Sequence, residues 1–360
     1  MDEAELISKL LTFIDDKNAV DADFNKIALS TFAYQFEHNL PFKKFSLARG
    51  KTLRTVQHWT DIPAVPISAF KTLNLTCSAP EKAEAVFMTS GTTQTGRRGK
   101  SFHSTLSVYD ASMRRNFSER FMGNREKLKI GILFPTPEAM PNSSLAYYLN
   151  LAKKYFGSEG STHFVGSAGI DYERLFNDLE QSEEEGISYG LLGASFSFVH
   201  VLDEMERQGR RFQLPFGSRL LDTGGFKGQS RELELDAFYE ALNNGFGVSR
   251  SNCINMYGMT ELSTQFYDNG NAVCPSIKSG PHWIKTRVVD PLTGSSLPKG
   301  TTGVLAHTDL AHFNIVTTIL TEDAGVEVDD GFLLHGRVSG AEAQGCSMAV
   351  DEFLIAAAAN

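Results

Sequence analysis

Residues 88–101 read MTSGTTQTGRRGKS and directly follow a short apolar run at residues 84–87. Glycines allow main-chain amides to approach an anion, hydroxyl side chains donate hydrogen bonds, and cations neutralise charge. This composition, placed after a predicted strand, predicts a triphosphate-binding loop. A polar surface loop between two elements is the alternative. The candidate nucleotide-binding residues here are Thr89, Ser90, Gly91, Thr92, Thr93, Arg97 and Lys100.

The spacing of this loop disfavours a P-loop kinase or GTPase. A Walker A loop has two glycines five positions apart, with Lys and Ser or Thr directly after the second. Gly91 and Gly96 have that spacing, but Arg97 and Arg98 follow them. The later triplet GKS at residues 99–101 has the required ending, with Gln94 in place of the first glycine.

The composition predicts a globular, core-forming protein of one or two domains. The chain has 360 residues, of which 41% are hydrophobic, and a formal net charge of −9. A negative chain disfavours a general nucleic-acid or anionic-membrane surface, and the local basic cluster at residues 97–100 suits a small polyanion. No apolar run is long enough to cross a bilayer, and the acidic amino terminus is unlike a signal peptide, so we expect a cytoplasmic protein.

The cysteines and histidines show no metal-binding pattern. Cys77, Cys253, Cys274 and Cys346 are scattered, which argues against a zinc site and a disulfide framework and predicts free thiols. No His-Glu-x-x-His or Gly-x-Ser-x-Gly segment occurs, which disfavours a zinc protease and a serine hydrolase. We expect His103, two residues after Ser101, to be an exposed loop histidine.

The distribution of apolar residues predicts an α/β fold in four segments. Residues 1–58 have helical spacing, and residues 59–285 alternate predicted strands and helices, typical of crossover units in a largely parallel sheet. Residues 286–337 are predicted as a β-rich, mostly antiparallel section, followed by a short segment at 338–360. Strands are expected at 129–134, 163–165, 188–192, 219–221, 253–256, 286–289, 302–306, 313–320 and 331–334, and helices at 105–121, 143–156, 171–184, 195–208 and 230–243.

A second polar cluster lies at residues 254–261, which read INMYGMTE. An apolar strand ends there in an aromatic residue, a glycine, a hydroxyl and a carboxylate, and ligands of open α/β sheets bind at the carboxyl ends of strands. Together with residues 88–101, this segment resembles the adenylate-forming superfamily of acyl-CoA synthetases. LTED at residues 320–323 and Gly336-Arg337 follow in the superfamily's order.

The resemblance implies ATP and Mg²⁺ as cofactors and gives the matching residues their roles. Thr260 would contact the α-phosphate and Glu261 would hold Mg²⁺, with an exposed glutamate at a helix start as the alternative. Tyr257 would pack on adenine, and Asp323 would accept from the ribose hydroxyls, with a core aromatic and a turn aspartate as their respective alternatives. Arg337 would close the large domain. The implied site also includes Asn255, Met256 and Gly258.

Three further passages resemble LuxE-type acyl-protein synthetases in particular. They are IPAVPISAFK at 62–71, LDTGGFKG at 221–228, which adds Gly224, Gly225 and Phe226 to the candidate nucleotide site, and GAEAQGCS at 340–347. Only 23 residues follow Arg337, so we expect the adenylate-forming large domain without the mobile carboxy-terminal domain and its catalytic lysine. In the LuxE type a cysteine near the carboxyl end accepts the acyl group, and Cys346 lies at the matching place. A buried structural thiol is the alternative.

The resemblance therefore implies an ATP-dependent ligase that adenylates a carboxylic acid, with a fatty acid as the expected class, releases pyrophosphate and transfers the acyl group to a thiol. The acceptor is Cys346 or a partner protein, with an acyl reductase or an acyl carrier protein as the expected partner. A ligase that acylates coenzyme A or a carrier protein directly is one alternative. A scaffold subunit of a reductase complex that has lost catalysis is another.

Overall fold

The computed structural model describes residues 1–89, 97–226 and 228–358. Its α-helices are α1 (Glu3–Asp15), α2 (Asp21–His38), α3 (Leu40–Ala48), α4 (Ser107–Phe117), α5 (Ser144–Phe156), α6 (Tyr172–Glu185), α7 (Ser195–Gln208), α8 (Leu235–Phe246) and α9 (Gly340–Ala358). Side-chain caps fix several helix starts: Asp2 accepts from the Glu5 amide over 2.8 Å and Asp171 from the Arg174 amide over 3.1 Å. Helix α6 ends at Gly186, whose φ of 68° suits a left-handed C-cap.

The strands are β1 (Val65–Pro66), β2 (Ala85–Met88), β3 (Lys100–His103), β4 (Lys129–Leu133), β5 (Thr162–His163), β6 (Val165–Gly166), β7 (Gly169–Ile170), β8 (Tyr189–Ala194), β9 (Arg219–Thr223), β10 (Cys253–Tyr257), β11 (Phe266–Tyr267), β12 (Ile284–Val289), β13 (Thr302–Asp309), β14 (Thr318–Val328) and β15 (Gly331–Arg337). These strands and the helices confirm the predicted α/β class. Residues 313–317 precede β14, so the strand predicted at 313–320 begins too early. A 3₁₀ turn at Leu310–His312 precedes them.

The chain folds into two compact units. The second unit comprises Asn116–Gly258 and Gln265–Lys278. Its sheet has the order β11-β10-β9-β8-β4-β5, parallel throughout except for the β10–β11 pair. Every residue of β4 and β8 is buried, as expected for parallel strands covered by helices on both faces. Helices α6, α7 and α8 supply much of that core, including Phe176, Phe198 and Phe246.

The first unit comprises Met1–Arg115, Met259–Thr264 and Ser279–Asn360. Its five-stranded sheet has the order β1-β14-β13-β12, with β15 on β14. The pairs among β12 to β15 are antiparallel, which confirms the predicted β-rich section, whereas β1 joins β14 in parallel. The predicted segment borders at residues 58 and 285 both fall inside this unit, because helices α1 to α3 and strands β12 to β15 belong to one compact body.

Helix α9 packs on helix α3 within the first unit. The rings of Phe45 and Phe353 lie 4.6 Å apart, and Phe353 is fully buried. Arg49 forms a bidentate ion pair with Glu352, with Nε 2.8 Å from Oε1. Among the described residues, no helix is both long enough and apolar enough to cross a membrane.

Candidate functional site

The phosphate loop predicted from the sequence is closed at its base by Thr89 and Gly99. The Thr89 amide donates to the Gly99 carbonyl over 3.0 Å, and the Gly99 amide donates to Thr89 Oγ1 over 2.9 Å. Strands β2 and β3 continue this pairing as an antiparallel hairpin. Ser90, Gly91, Thr92 and Thr93 lie outside the described residues, while Arg97 and Lys100 are exposed.

Glu261 lies directly beside the closed base of that loop. A β-carbon added to Gly99 would be 3.4 Å from Glu261 Oε1 and 3.1 Å from Thr89 Cγ2. Gly99 is buried, and because it has no side chain, Glu261 and Thr89 can pack directly against its main chain. Glu261 is 5% exposed and does not begin a helix, so the alternative of an exposed helix-start glutamate is wrong.

Burial governs the chemistry of the Glu261 carboxyl. Removal from water raises its pKa from the ordinary value to about 7, against the opposing fields of Arg337 and Lys71. The group is therefore close to half-protonated near neutral pH. A cation bound beside this carboxyl would stabilise its charged form and lower its pKa.

Thr260 is fixed to the same hairpin by a hydrogen bond. Ser101 Oγ donates to the Thr260 carbonyl over 2.8 Å. The turn after Glu261 is held by Asp309, whose carboxylate accepts from the amides of Ser263 and Thr264, each over 2.8 Å. Hydrogen bonds thus fix the backbone on either side of Glu261.

Asp323 and Arg337 face each other across strands β14 and β15. They are register partners, and Arg337 Nε lies 3.3 Å from Asp323 Oδ1. Asp323 is 8% exposed and sits inside a strand, so its alternative as a turn residue before Gly325 is wrong. Arg337 is exposed and also reaches Glu322 Oε2 at 3.4 Å. This arrangement presents a buried carboxylate beside an exposed cation.

Cys346 lies in helix α9 and is 6% exposed. It packs in an apolar cluster with Val289, Leu320 and Ala349, and its thiol donates to the Thr321 carbonyl over 3.7 Å. Its neighbour Gly345 is equally confined, because an added β-carbon would lie 2.7 Å from Pro291 Cγ. This placement is that of the buried structural thiol named as the alternative. The role of acyl acceptor stays a prediction, and it requires Sγ to be uncovered.

The remaining predicted site residues belong to the second unit. Asn255 lies in strand β10, where its main-chain amide donates to Asp268 over 3.0 Å and its Nδ2 donates to Asp222 over 2.8 Å. Asp268 in turn forms a buried ion pair of 2.6 Å with Lys278. This network fixes the end of β10. Tyr257 ends that strand half-buried, with its ring centroid 6.0 Å from that of Phe266.

Three predicted glycines and two apolar residues complete that set. Met256 is buried within β10, and Gly258 follows the strand at an exposed position. Gly224 and Gly225 follow strand β9, where Gly224 has a φ of 79° that favours glycine. Phe226 is half-buried and packs edge-to-face on Phe238, 5.6 Å away.

Sequence comparison identifies the family. The family model described as acyl-protein synthetase, LuxE, matches residues 5–355. The chain belongs to the LuxE acyl-protein synthetases. It is also 23% identical, over 307 residues, to the long-chain-fatty-acid–luciferin-component ligase of Vibrio harveyi, an alignment that covers 84% of this chain and 78% of that protein.

Solved structures resemble this LuxE-family chain in fold. A 2-hydroxyisobutyryl-CoA ligase with 2-HIB-AMP and CoA matches with a TM-score of 0.63 and 16% identity, over 88% of this chain and 75% of that one. ATP-bound MatB from Rhodopseudomonas palustris matches with a TM-score of 0.52 and 16% identity, over 72% of this chain. The chain spans about half the length of that MatB protein, 49%. The fold of this LuxE-family chain is that of adenylate-forming ligases.

Some residues near the site carry no local sequence signal. Asp309 lies 46 positions after Ser263, and no local pattern links the two. His103, expected in an exposed loop, ends strand β3 and is 5% exposed, because it packs against Phe87, Tyr109 and His312. For Ser101, the sequence signal is the GKS ending of the loop at residues 99–101.

The described residues contain no cluster of three or more His, Cys, Asp or Glu side chains able to hold a metal ion.

Proposed function

We propose that this protein activates a carboxylic acid with ATP and passes the acyl group to a thiol. An oxygen of the acid attacks the α-phosphorus of ATP, the bond from that phosphorus to the pyrophosphate oxygen breaks, and an acyl adenylate forms. A thiolate then attacks the acyl carbonyl carbon, and AMP leaves with the electrons of the broken bond. Membership of the LuxE acyl-protein synthetases supports this reaction, and the name of the Vibrio harveyi relative supports a fatty acid as substrate.

The observation that carries the proposal is the position of Glu261 beside Gly99. Activation requires the carboxylate of the acid to approach the α-phosphate of ATP, and both groups are anions. The protein must therefore place a cation beside the phosphates, and a carboxylate at that position can bind the cation. Residues 88–101 carry the composition of a phosphate loop, and the closed base of that loop lies against a buried carboxyl. The hydrogen bond from Ser101 to Thr260 keeps the two segments together.

Mg²⁺ fits these residues as a site with one protein carboxylate. This ion typically takes one or two carboxylates, several waters and the phosphates of the substrate, so the absence of an acidic cluster among the described residues agrees with it. Glu261 would hold it. When bound, Mg²⁺ neutralises charge on the phosphates. Asp323 would accept from the ribose hydroxyls, and Arg337, whose side chain is exposed, would exchange its carboxylate partners for a phosphate.

The acceptor in our proposal is Cys346, followed by a partner acyl reductase or carrier protein. Direct transfer to coenzyme A or to a carrier protein is the second candidate, and the deep burial of Cys346 favours it. Self-acylation needs part of helix α9 to move, because the thiol is enclosed by Val289, Leu320 and Ala349.

Exchange of labelled pyrophosphate into ATP, measured across a panel of fatty and aromatic acids, tests the adenylation step. Exchange that depends on one class of acid is expected. No exchange with any acid, together with no heat of ATP–Mg²⁺ binding in calorimetry, would contradict the enzyme and support the scaffold.

Labelled acid then distinguishes the acceptors. If Cys346 carries the acyl group, label stays on the wild-type protein and is absent from Cys346→Ser, while pyrophosphate exchange is unchanged in both. Label on both proteins, or on neither while coenzyme A or a carrier protein is acylated, rules out Cys346. The variant Cys253→Ser is the matched control, since Cys253 is also a buried thiol.

A further inference from the structure

The first unit contains a cavity of about 690 Å³ that the proposed reaction does not use. It lies where helices α3 and α9 meet the turn that connects strands β12 and β13, and all of its lining belongs to described residues. Its volume is within the range of small-molecule sites. The lining is mostly polar, with hydroxyls from Thr60, Thr293 and Ser296.

Arg287 is the unusual member of this lining. It lies in strand β12, is 8% exposed, and forms no ion pair within 4.0 Å in the part of the chain that the structure describes. Its Nε has no hydrogen-bond partner there. Nη1 donates to Ser296 Oγ over a long 3.3 Å, and the guanidinium lies 5.6 Å from the ring centroid of Trp59.

A buried cation without a carboxylate partner is costly. Taking an ion out of water costs several kcal/mol unless an opposite charge and hydrogen bonds compensate. Burial accordingly lowers the pKa of Arg287, although the fields of Asp61 and Glu327 oppose the change. Arginine remains charged in proteins, and its planar fork matches the geometry of phosphate oxygens.

Two further cations line the same cavity. Arg49 is paired with Glu352, and Lys51 Nζ lies 3.7 Å from Asp61 Oδ1. With Arg287 unpaired, the lining carries one more positive than negative side chain. An anion in this cavity would therefore meet a lining with a net positive charge and the Ser296 hydroxyl, which accepts from Arg287 and keeps its own proton to donate.

We propose that this cavity binds the phosphate group of a small phosphorylated molecule, with Arg287 as the residue that contacts it. Binding of phosphate at this site is independent of the proposed acid activation, whereas a thiol carrier as its source rests on the proposed acyl transfer to Cys346. Val289, Leu320 and Ala349 line the cavity and also pack around Cys346. A phosphorylated thiol carrier is therefore one source of the phosphate, because its thiol end would approach the acyl acceptor, and free phosphate is the other.

Isothermal titration calorimetry of the full chain with 4′-phosphopantetheine, pantetheine and inorganic phosphate tests this site. We expect phosphopantetheine to bind and pantetheine to bind at least about tenfold more weakly, since a charge-assisted contact is lost. Arg287→Gln should weaken phosphopantetheine binding by about tenfold or more, and Arg287→Lys by less. Arg120→Gln is the control and should leave phosphopantetheine binding unchanged. Arg120 is a partly buried arginine of the second unit and does not line the cavity.

Lys100→Gln separates this site from the predicted nucleotide loop. We expect it to weaken ATP binding and leave phosphopantetheine binding unchanged, whereas Arg287→Gln should leave ATP–pyrophosphate exchange unchanged. If Arg287→Gln does not fold, as judged by circular dichroism, Arg287→Lys and Lys51→Gln take its place, and both should weaken phosphopantetheine binding.

Each outcome decides the proposal. Equal binding of pantetheine and phosphopantetheine, no binding of either phosphate-bearing probe, or binding that none of the Arg287 and Lys51 variants weakens would overturn it. Equal affinity for inorganic phosphate and phosphopantetheine, still dependent on Arg287, would support a site for free phosphate and overturn the thiol carrier as its ligand.

Discussion

Ser101 Oγ donates a 2.8 Å hydrogen bond to the main-chain carbonyl of Thr260, 159 residues later in the chain. This bond ties the end of the predicted phosphate loop to the segment that carries Glu261. Because Ser101 is fully buried, the bond does not compete with water. Within the first unit, the end of the loop segment at residues 88–101 and the segment at residues 259–261 are thus one local structure.

Gly99→Ala should impair adenylation with little loss of stability. The new β-carbon would be 3.1 Å from Thr89 Cγ2 and 3.4 Å from Glu261 Oε1, so the neighbours must move by a few tenths of an ångström. We expect pyrophosphate exchange to fall about tenfold, as displacement of catalytic groups does. Gly166→Ala is the control, because nothing lies within 4 Å of its added β-carbon. Equal exchange rates in the two variants would contradict this account.

Glu261→Gln should abolish metal-dependent exchange and yet stabilise the fold at alkaline pH. The folded pKa of about 7 exceeds the ordinary 4.5, so the native state binds more protons and stability falls as pH rises between these values. Glutamine cannot ionise, so the variant avoids this loss in the free energy of unfolding, which is up to about 3 kcal/mol at pH 8. Thermal melting at pH 8 and pH 5 without nucleotide measures it. A variant no more stable than wild type at pH 8 would refute the buried carboxylate.

The pH profile of the wild-type enzyme should follow the same group. The charged form of Glu261 holds a cation, so exchange should decline as pH falls through about 7. Saturating Mg²⁺ should move this decline to lower pH, because a bound cation stabilises the carboxylate. A profile flat from pH 8 to pH 5 at every Mg²⁺ concentration would remove Glu261 from the metal site.

Asp323→Asn should raise the KM for ATP more than it lowers kcat. An ionised carboxylate accepts two hydrogen bonds from neighbouring hydroxyls, whereas an amide offers one oxygen and an unwanted donor. We expect the KM to rise about tenfold, the loss of one charge-assisted contact. Glu322→Gln is the control, since it removes the other carboxylate near Arg337. Similar KM values for ATP in both variants would show that Asp323 does not contact the ribose.

Arg49→Ala should expose Cys346 to thiol reagents. The Arg49–Glu352 ion pair anchors helix α9 on α3. Because the pair is partly exposed, its loss should lower the free energy of unfolding by about 0.5–1 kcal/mol. We expect Cys346 to be alkylated faster than in the wild type, as measured by mass spectrometry. The alkylation rate of the buried Cys253 in the second unit should not change. Lys299→Ala, which breaks an exposed pair with Asp329, should leave both rates unchanged. Rapid alkylation of Cys346 in the wild type would show that α9 opens without this change.

Local pattern predicts much of the fold. The runs of buried apolar residues at β4 and β8 and the helical spacing of α5, α6 and α7 are short-range properties of the chain, so the α/β class and most element positions follow from them. The strand prediction for residues 313–317 is wrong because apolar composition alone cannot separate a strand from a buried turn. The prediction for His103 is wrong because its burial depends on His312, more than 200 positions away.

The order and spacing of the motifs, from the loop at residues 88–101 to Arg337, are properties of the sequence alone, and they determined both the family and the candidate site residues. The state of those residues was decided by tertiary structure. Burial sets the pKa of Glu261, encloses Cys346 in an apolar cluster and leaves Arg287 without a carboxylate partner among the described residues. Each of these depends on desolvation and on contacts between distant segments, and neither quantity exists until the chain has folded.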